Sequence, residues 1–126
     1  MSQHNEVGKI GEDLARVYLE KQGYKILEQN YKTKYAEIDL IAEKSKGFFT
    51  GKDLVFVEVR TKIGENFGSP EDTLDKRKLY KVLHNVLAYS MFKKWDGPAR
   101  IDAICIVLNP NRTVLRLTHH ENIIAV

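Results

Sequence analysis

The chain has 126 residues, 43% of them hydrophobic and 29% charged, with 20 Lys and Arg against 17 Asp and Glu for a net charge of +3. That length fits one domain, residues 1–126, and argues against two independent cores. The lone Cys105 excludes an internal disulfide and a multi-cysteine zinc site, no stretch approaches the ~20 apolar residues that span a bilayer, and the polar start points to a cytoplasmic protein with no membrane partner.

From Asn5 to Gln22 the apolar residues Val7, Ile10, Leu14, Val17 and Tyr18 recur at helical spacing, and Gly23 supplies a stop. Gly8, Gly11 and Ala15 share an adjoining stripe. Each glycine costs a helix about 1 kcal/mol relative to alanine, so close approach to a sheet or ligand is expected to compensate. Short runs rich in strand-forming residues follow at Tyr24 to Tyr31, Ala36 to Ala42 and Asp53 to Arg60. The link Glu43 to Lys52, with Lys44, Lys46, Gly47 and Gly51, predicts a hairpin between the second and third strands with a long basic tip. Phe48 and Phe49 at that tip are expected to pack back onto the domain rather than stack on bases.

Ser69-Pro70-Glu71-Asp72 has the form of a helix entrance, and one long helix is predicted from there to about Trp95. Leu79, Val82, Leu83, Val86 and Leu87 provide its core face, and Asp96-Gly97-Pro98 ends it. Ala99 to Leu108 and Thr113 to Thr118 read as two further strands around the turn Asn109 to Arg112. The order is αβββαββ. The second helix is long enough for a parallel crossover while the earlier links suit antiparallel neighbours, which predicts an α/β fold with a central mixed sheet flanked by helices.

Asp39 is a carboxylate embedded in the apolar run Ile38-Asp39-Leu40-Ile41, and Glu58 repeats the oddity in Val55-Phe56-Val57-Glu58-Val59-Arg60. Glu58 and Arg60 share a strand face about 7 Å apart. If Asp39 and Glu58 become neighbours, their like charges raise one pKa unless a cation lies between them. Hard oxygen ligands suit Mg²⁺ or Mn²⁺, and the chemistry such a site supports is phosphodiester hydrolysis. The same charges equally fit a salt bridge at the end of the sheet, with Arg60 neutralising Glu58 or Asp39.

Lys76, Arg77, Lys78 and Lys81 crowd the early part of the second helix, closer to its positive end than the macrodipole favours. Either a phosphate backbone binds there, or a solvated face is offset by Glu71, Asp72 and Asp75. The Gly64 to Gly68 loop is placed to act as a mobile substrate clamp. Asp102 is expected to brace the sheet or to orient the basic helix, and not to ligate. His119 and His120 point to opposite faces of a strand and cannot share one ion, so one is expected buried and satisfied and the other exposed. Cys105 is expected to be a buried, reduced thiol.

The motifs Gly8-x-x-Gly11-Glu12-x-x-Ala15-x-x-Tyr18-Leu19, Gly23-Tyr24-x-Ile26-Leu27-x-x-Asn30, Glu37-Ile38-Asp39-Leu40-Ile41-Ala42 and Val55-Phe56-Val57-Glu58-Val59-Arg60 together resemble the bacterial YraN/UPF0102 family over nearly the whole chain. That family is similar to archaeal Holliday-junction resolvases and to the PD-(D/E)XK nucleases. The resemblance implies a restriction-endonuclease-like fold with Asp39 and Glu58 as metal ligands and Glu12 as a further acidic site residue. It also implies divalent-metal-dependent cleavage of DNA, with branched or single-stranded substrates as candidates. Resolvases of similar fold act as dimers, so a homodimer is compatible with it. The nuclease pattern has lysine two residues after the glutamate, whereas this chain has Arg60, with Lys62 two residues on. Arginine grips phosphate bidentately but is a poor proton acceptor, and Lys62 can substitute if the strand continues. Ala36 stands where the family commonly has glycine. Two alternatives remain open beside the enzyme: a nucleic-acid-binding module on the same scaffold without turnover, and an interaction protein whose charges only form salt bridges.

Overall fold

The helical periodicity near the N-terminus becomes α1 (Gln3–Lys21) in the computed structural model, which describes residues 3–48 and 51–124. Gly23, at φ +88°, turns the chain into β1 (Tyr24–Lys32), followed by β2 (Glu37–Ser45), β3 (Lys52–Ile63), α2 (Lys76–Phe92), β4 (Ala99–Leu108) and β5 (Val114–His120). The strands lie in sequence order in one five-stranded sheet. All neighbours are antiparallel except β3 and β4, which pair in parallel from Leu54↔Ala99 to Ile63↔Leu108 across the α2 crossover. The sheet is therefore mixed, as the link lengths predict. Among the described residues no helix is long and apolar enough to cross a membrane.

Two cores sandwich the sheet. Ala15 and Leu19 of α1 pack with Leu40, Val55, Val57, Ile104 and Ile106, whereas Val82, Val86 and Tyr89 of α2 pack with Ile41, Leu54, Phe56 and Ile101. Strands β3 and β4 are covered on both sides, which explains their nearly unbroken apolar runs. Gly11 is what lets α1 come close: a Cβ there would stand 1.7 Å from Thr61 Oγ1 on β3. Gly8 has no such role, since a Cβ there would meet nothing within 4 Å.

The single long helix expected from Ser69 is two pieces. Ser69 and Pro70 start only a 3-10 turn, Pro70–Thr73, in which Asp72 Oδ2 accepts the Ser69 N–H at 3.0 Å. Leu74 then takes an extended conformation and Asp75 begins α2 afresh, its Oδ1 accepting the Arg77 N–H at 2.9 Å. Two entrance signals thus follow one another. Leu87, expected in the core, is 58% exposed, because Asn85 and Tyr89 share the buried stripe instead. Phe48, expected to be covered, is fully exposed, and Phe49 lies outside the described residues.

The feature that positions the site is a parting of strands. Registered pairing of β2 with β3 stops at Leu40↔Val57, while β2 stays paired with β1 as far as Glu37. Ile38 and Ile41 both face the α2 core although they are three residues apart, so the period-two alternation slips in the stretch that holds Asp39.

Candidate active site

Where β2 and β3 part, a side chain takes over a ladder position: Asp39 Oδ2 accepts the Val59 N–H at 2.8 Å. Next along β3 is Glu58, 1% exposed, and neither of its buried carboxylate oxygens accepts a hydrogen bond. Arg60 Nη1 stands 3.1 Å from Glu58 Oε2, yet its N–H is aimed at the Val59 carbonyl, also 3.1 Å away. Lys78 Nζ, from the first turn of α2, lies 3.7 Å from the same oxygen. Both cations are close without satisfying the carboxylate directionally, a costly arrangement for a buried charge.

The electrostatics reflect that shortage. Burial, and then the charge of Asp39, push Glu58 up to about 7 against the pull of Arg60 and Lys78. Burial also raises Asp39, opposed by the Val59 N–H, Arg60 and Lys78. Glu12 arrives on α1, one residue after the glycine that lets the helix touch β3. Burial, followed by the charge of Asp39, raises it to about 7. The charge of Asp39 on β2 thus acts on both Glu12 of α1 and Glu58 of β3, although the three carboxylates do not all stand within 4.8 Å of one another; carboxylate oxygens are the donor type that a hard divalent cation takes.

The other sequence candidates divide. Strand β3 does continue through Lys62, but Lys62 Nζ donates to the Phe67 carbonyl at 3.4 Å, on the Gly64 to Gly68 loop. Arg60 and Lys78, not Lys62, stand beside Glu58. The special position of Lys78 among its basic neighbours was missed. The available signal is its spacing one turn before the buried Val82, which puts it beside the stripe facing the sheet. Lys76, Arg77 and Lys81 are exposed. The acids expected to offset them are engaged elsewhere: Asp72 and Asp75 in the backbone contacts above, and Glu71 with Arg116 at 2.8 and 2.9 Å and with His120 Nε2 at 2.8 Å. The Arg116 guanidinium is the main reason that Glu71 is held down at about 2.

Away from this edge, Asp102 is fully buried and satisfied by Arg100 Nε at 3.0 Å, His119 Nε2 at 2.8 Å and the Asn122 N–H at 2.9 Å. It is a brace, the first of the two expected roles, and none of these partners lies on α2. His119 is the buried histidine of its pair, with Tyr18 Oη 3.1 Å from its Nδ1, and His120 is the more exposed one. Cys105 is buried and free, and burial pushes its thiol up to about 12.

Comparison with known proteins gives a consistent picture. The model of the uncharacterised protein family UPF0102 matches residues 11–106, a span that includes Glu12, Asp39, Glu58, Arg60 and Lys78. A UPF0102 protein of Caldanaerobacter subterraneus subsp. tengcongensis is 41% identical over 117 residues, covering 90% of this chain and 89% of its own length. One from Sulfurihydrogenibium sp. is 46% identical over 116 residues, covering 91% and 90%. One from Flavobacterium johnsoniae is 44% identical over 96 residues, covering 76% and 73%.

Proposed function

The chain belongs to the UPF0102 family, and from that premise and the carboxylate geometry we propose that it is a divalent-metal-dependent endonuclease hydrolysing phosphodiester bonds in DNA. The observation that carries the reading is Glu58, a buried carboxylate with two unsatisfied oxygens beside a second carboxylate. A hydrophobic residue would be more stable there unless a cation were to be bound.

Asp39 and Glu58 would hold Mg²⁺ or Mn²⁺. The ion supplies polarisation of the phosphoryl group and a more acidic water. Glu12, raised to about 7, is poised to take a proton at neutral pH through its carboxylate. The Val59 N–H fixes Asp39 in orientation. Arg60 and Lys78 bring cationic N–H groups to the place where phosphate charge builds up. Because arginine does not give up its proton, Lys78 is the residue that supplies the ammonium that the nuclease pattern carries on the strand.

The test is cleavage of labelled single-stranded, duplex, flapped and four-way DNA in Mg²⁺ or Mn²⁺, comparing wild type with Asp39→Ala and Glu58→Ala. Metal-dependent cleavage that both substitutions abolish is the expected result. In the same assay Lys78→Ala is expected to slow cleavage by about 10²-fold or more, and Lys62→Ala by no more than a few-fold. The placement of Arg60 favours a second reading, a DNA-binding module without turnover. Wild type and variants that bind the panel but leave it intact would establish that reading instead.

A further inference from the structure

The turn between β1 and β2 is anchored to α2. Asn85, fully buried, donates from Nδ2 to the Ala36 carbonyl at 2.7 Å, and its Oδ1 takes the hydroxyl of Thr33. Within the turn, Thr33 Oγ1 accepts the Tyr35 N–H at 3.1 Å. This anchoring displays Tyr35 in a fixed place, its ring stacked on His84 of α2 at 5.7 Å and 24° while it stays 46% exposed. His84 is exposed as well, so the pair is not a buried core contact.

Its surroundings are cationic. Lys34 Nζ lies 5.2 Å from the centre of the Tyr35 ring. Arg77, Tyr80, Lys81 and His84 fall at the i, i+3, i+4, i+7 spacing of one helix stripe, with Tyr80 62% exposed. Among the described residues Lys34, Arg77 and Lys81 make no ion pair. A rigid aromatic step among unneutralised cations matches one ligand chemistry: a polyanion whose flat, apolar groups are accessible. Paired bases in a duplex hide their faces, whereas unpaired bases present them.

We propose that the Tyr35–His84 pair, flanked by Tyr80, Lys34, Arg77 and Lys81, is a stacking site for an unpaired DNA base, so that the substrate is single-stranded beside the scissile phosphate. The link to cleavage rests on the nuclease reading. Tyr35 lies in the turn that leads into β2, four residues before Asp39, and His84 stands about 9 Å along α2 from Lys78, so one half of the step adjoins the strand of Asp39 and the other shares a helix with Lys78. Stacking sites of this kind tolerate any base, which assigns a structure preference rather than a sequence preference.

Binding is measured in EDTA with the full chain, by fluorescence anisotropy, on a labelled oligothymidylate and on a mixed-sequence duplex of equal length. Wild type is expected to prefer the single strand. Tyr35→Ala is expected to weaken single-strand binding by about 5- to 150-fold while leaving duplex binding unchanged, and Tyr35→Phe to retain it. Unchanged single-strand affinity in Tyr35→Ala, equal losses on both ligands, or no binding of either by wild type would overturn the proposal. Turnover plays no part in this measurement. A protein that shows the expected pattern but cuts nothing refutes the nuclease and keeps the stacking site; a metal-dependent nuclease indifferent to Tyr35→Ala does the reverse.

Discussion

A carboxylate that burial raises from an ordinary 4.5 to about 7 holds its proton more tightly folded than unfolded, which is the situation of Glu58 and Glu12. Above pH 7 both are charged in the folded chain and the burial penalty is carried in full. Between 7 and 4.5 the folded state takes up protons that the unfolded state does not, so the metal-free fold gains stability. Below 4.5 both states are protonated and the gain levels off. Glu71 has the opposite sign: its contribution is complete above 4.5 and is lost as the pH falls through about 2, so the two windows do not overlap. Thermal melting in EDTA is therefore expected to be higher at about pH 5 than at about pH 8 by several °C. Glu58→Gln is expected to raise the value at about pH 8 and flatten the profile. Mg²⁺ at that pH should stabilise wild type and not Glu58→Gln; a flat wild-type profile would contradict the strained carboxylate. Asp39 and Glu58 were legible in the sequence because charge inside an apolar strand is conspicuous. Glu12 was not legible from its own pattern, since a lone acid on a helix looks solvated, and it entered through the family resemblance. Lys78 looked like Lys76 and Arg77 until the fold brought its ammonium to 3.7 Å from Glu58 Oε2.

The strands and α1 were legible as elements because period two and period 3.6 are properties of neighbouring residues. What escaped was the break before α2: Ser69-Pro70 and Asp75 are both sound entrance signals, and only the packed structure determines that Leu74 stays extended between them. The glycine stripe of α1 is a similar case, since pattern alone could not separate Gly8 from Gly11. Gly11→Ala is expected to destabilise the protein by ~1–3 kcal/mol, because a Cβ there collides with Thr61. It should also weaken metal binding, because α1 carries Glu12 away from β3. Gly8→Ala should be neutral or stabilising by up to ~1 kcal/mol. Urea unfolding of the two variants, with metal titration of the folded forms, measures both effects, and equal losses would contradict the close-approach argument.

For the whole molecule, the mixed sheet was readable because a parallel pair needs a crossover and only α2 is long enough to make one. The parting of β2 from β3 was not readable, since it arises from pairing between distant segments. Global cohesion depends on Asp102: through Arg100 it reaches Asp53 of β3 at 2.8 Å and Tyr24 of β1 at 2.8 Å, and through His119 it reaches β5. Asp102→Ala leaves Arg100 its contacts with Asp53 and Tyr24 but removes the acceptor shared by Arg100, His119 and the Asn122 N–H, and should lower stability by ~1–3 kcal/mol. The urea midpoint should fall, while the proposed cleavage, per folded molecule, should be unchanged because the brace does not touch the carboxylate edge.

The parallel β3–β4 pair joins partners far apart in the chain, whereas β1, β2 and β3 form a meander closed by short links. Loop-closure entropy favours the meander as the earlier structure in folding. Asp39 and Glu58 both lie in that meander, and Lys78 arrives only when the crossover docks. The growing fold therefore brings two like charges together before one of their counter-charges is in place, so refolding at neutral pH should run faster with divalent ions present than in chelator.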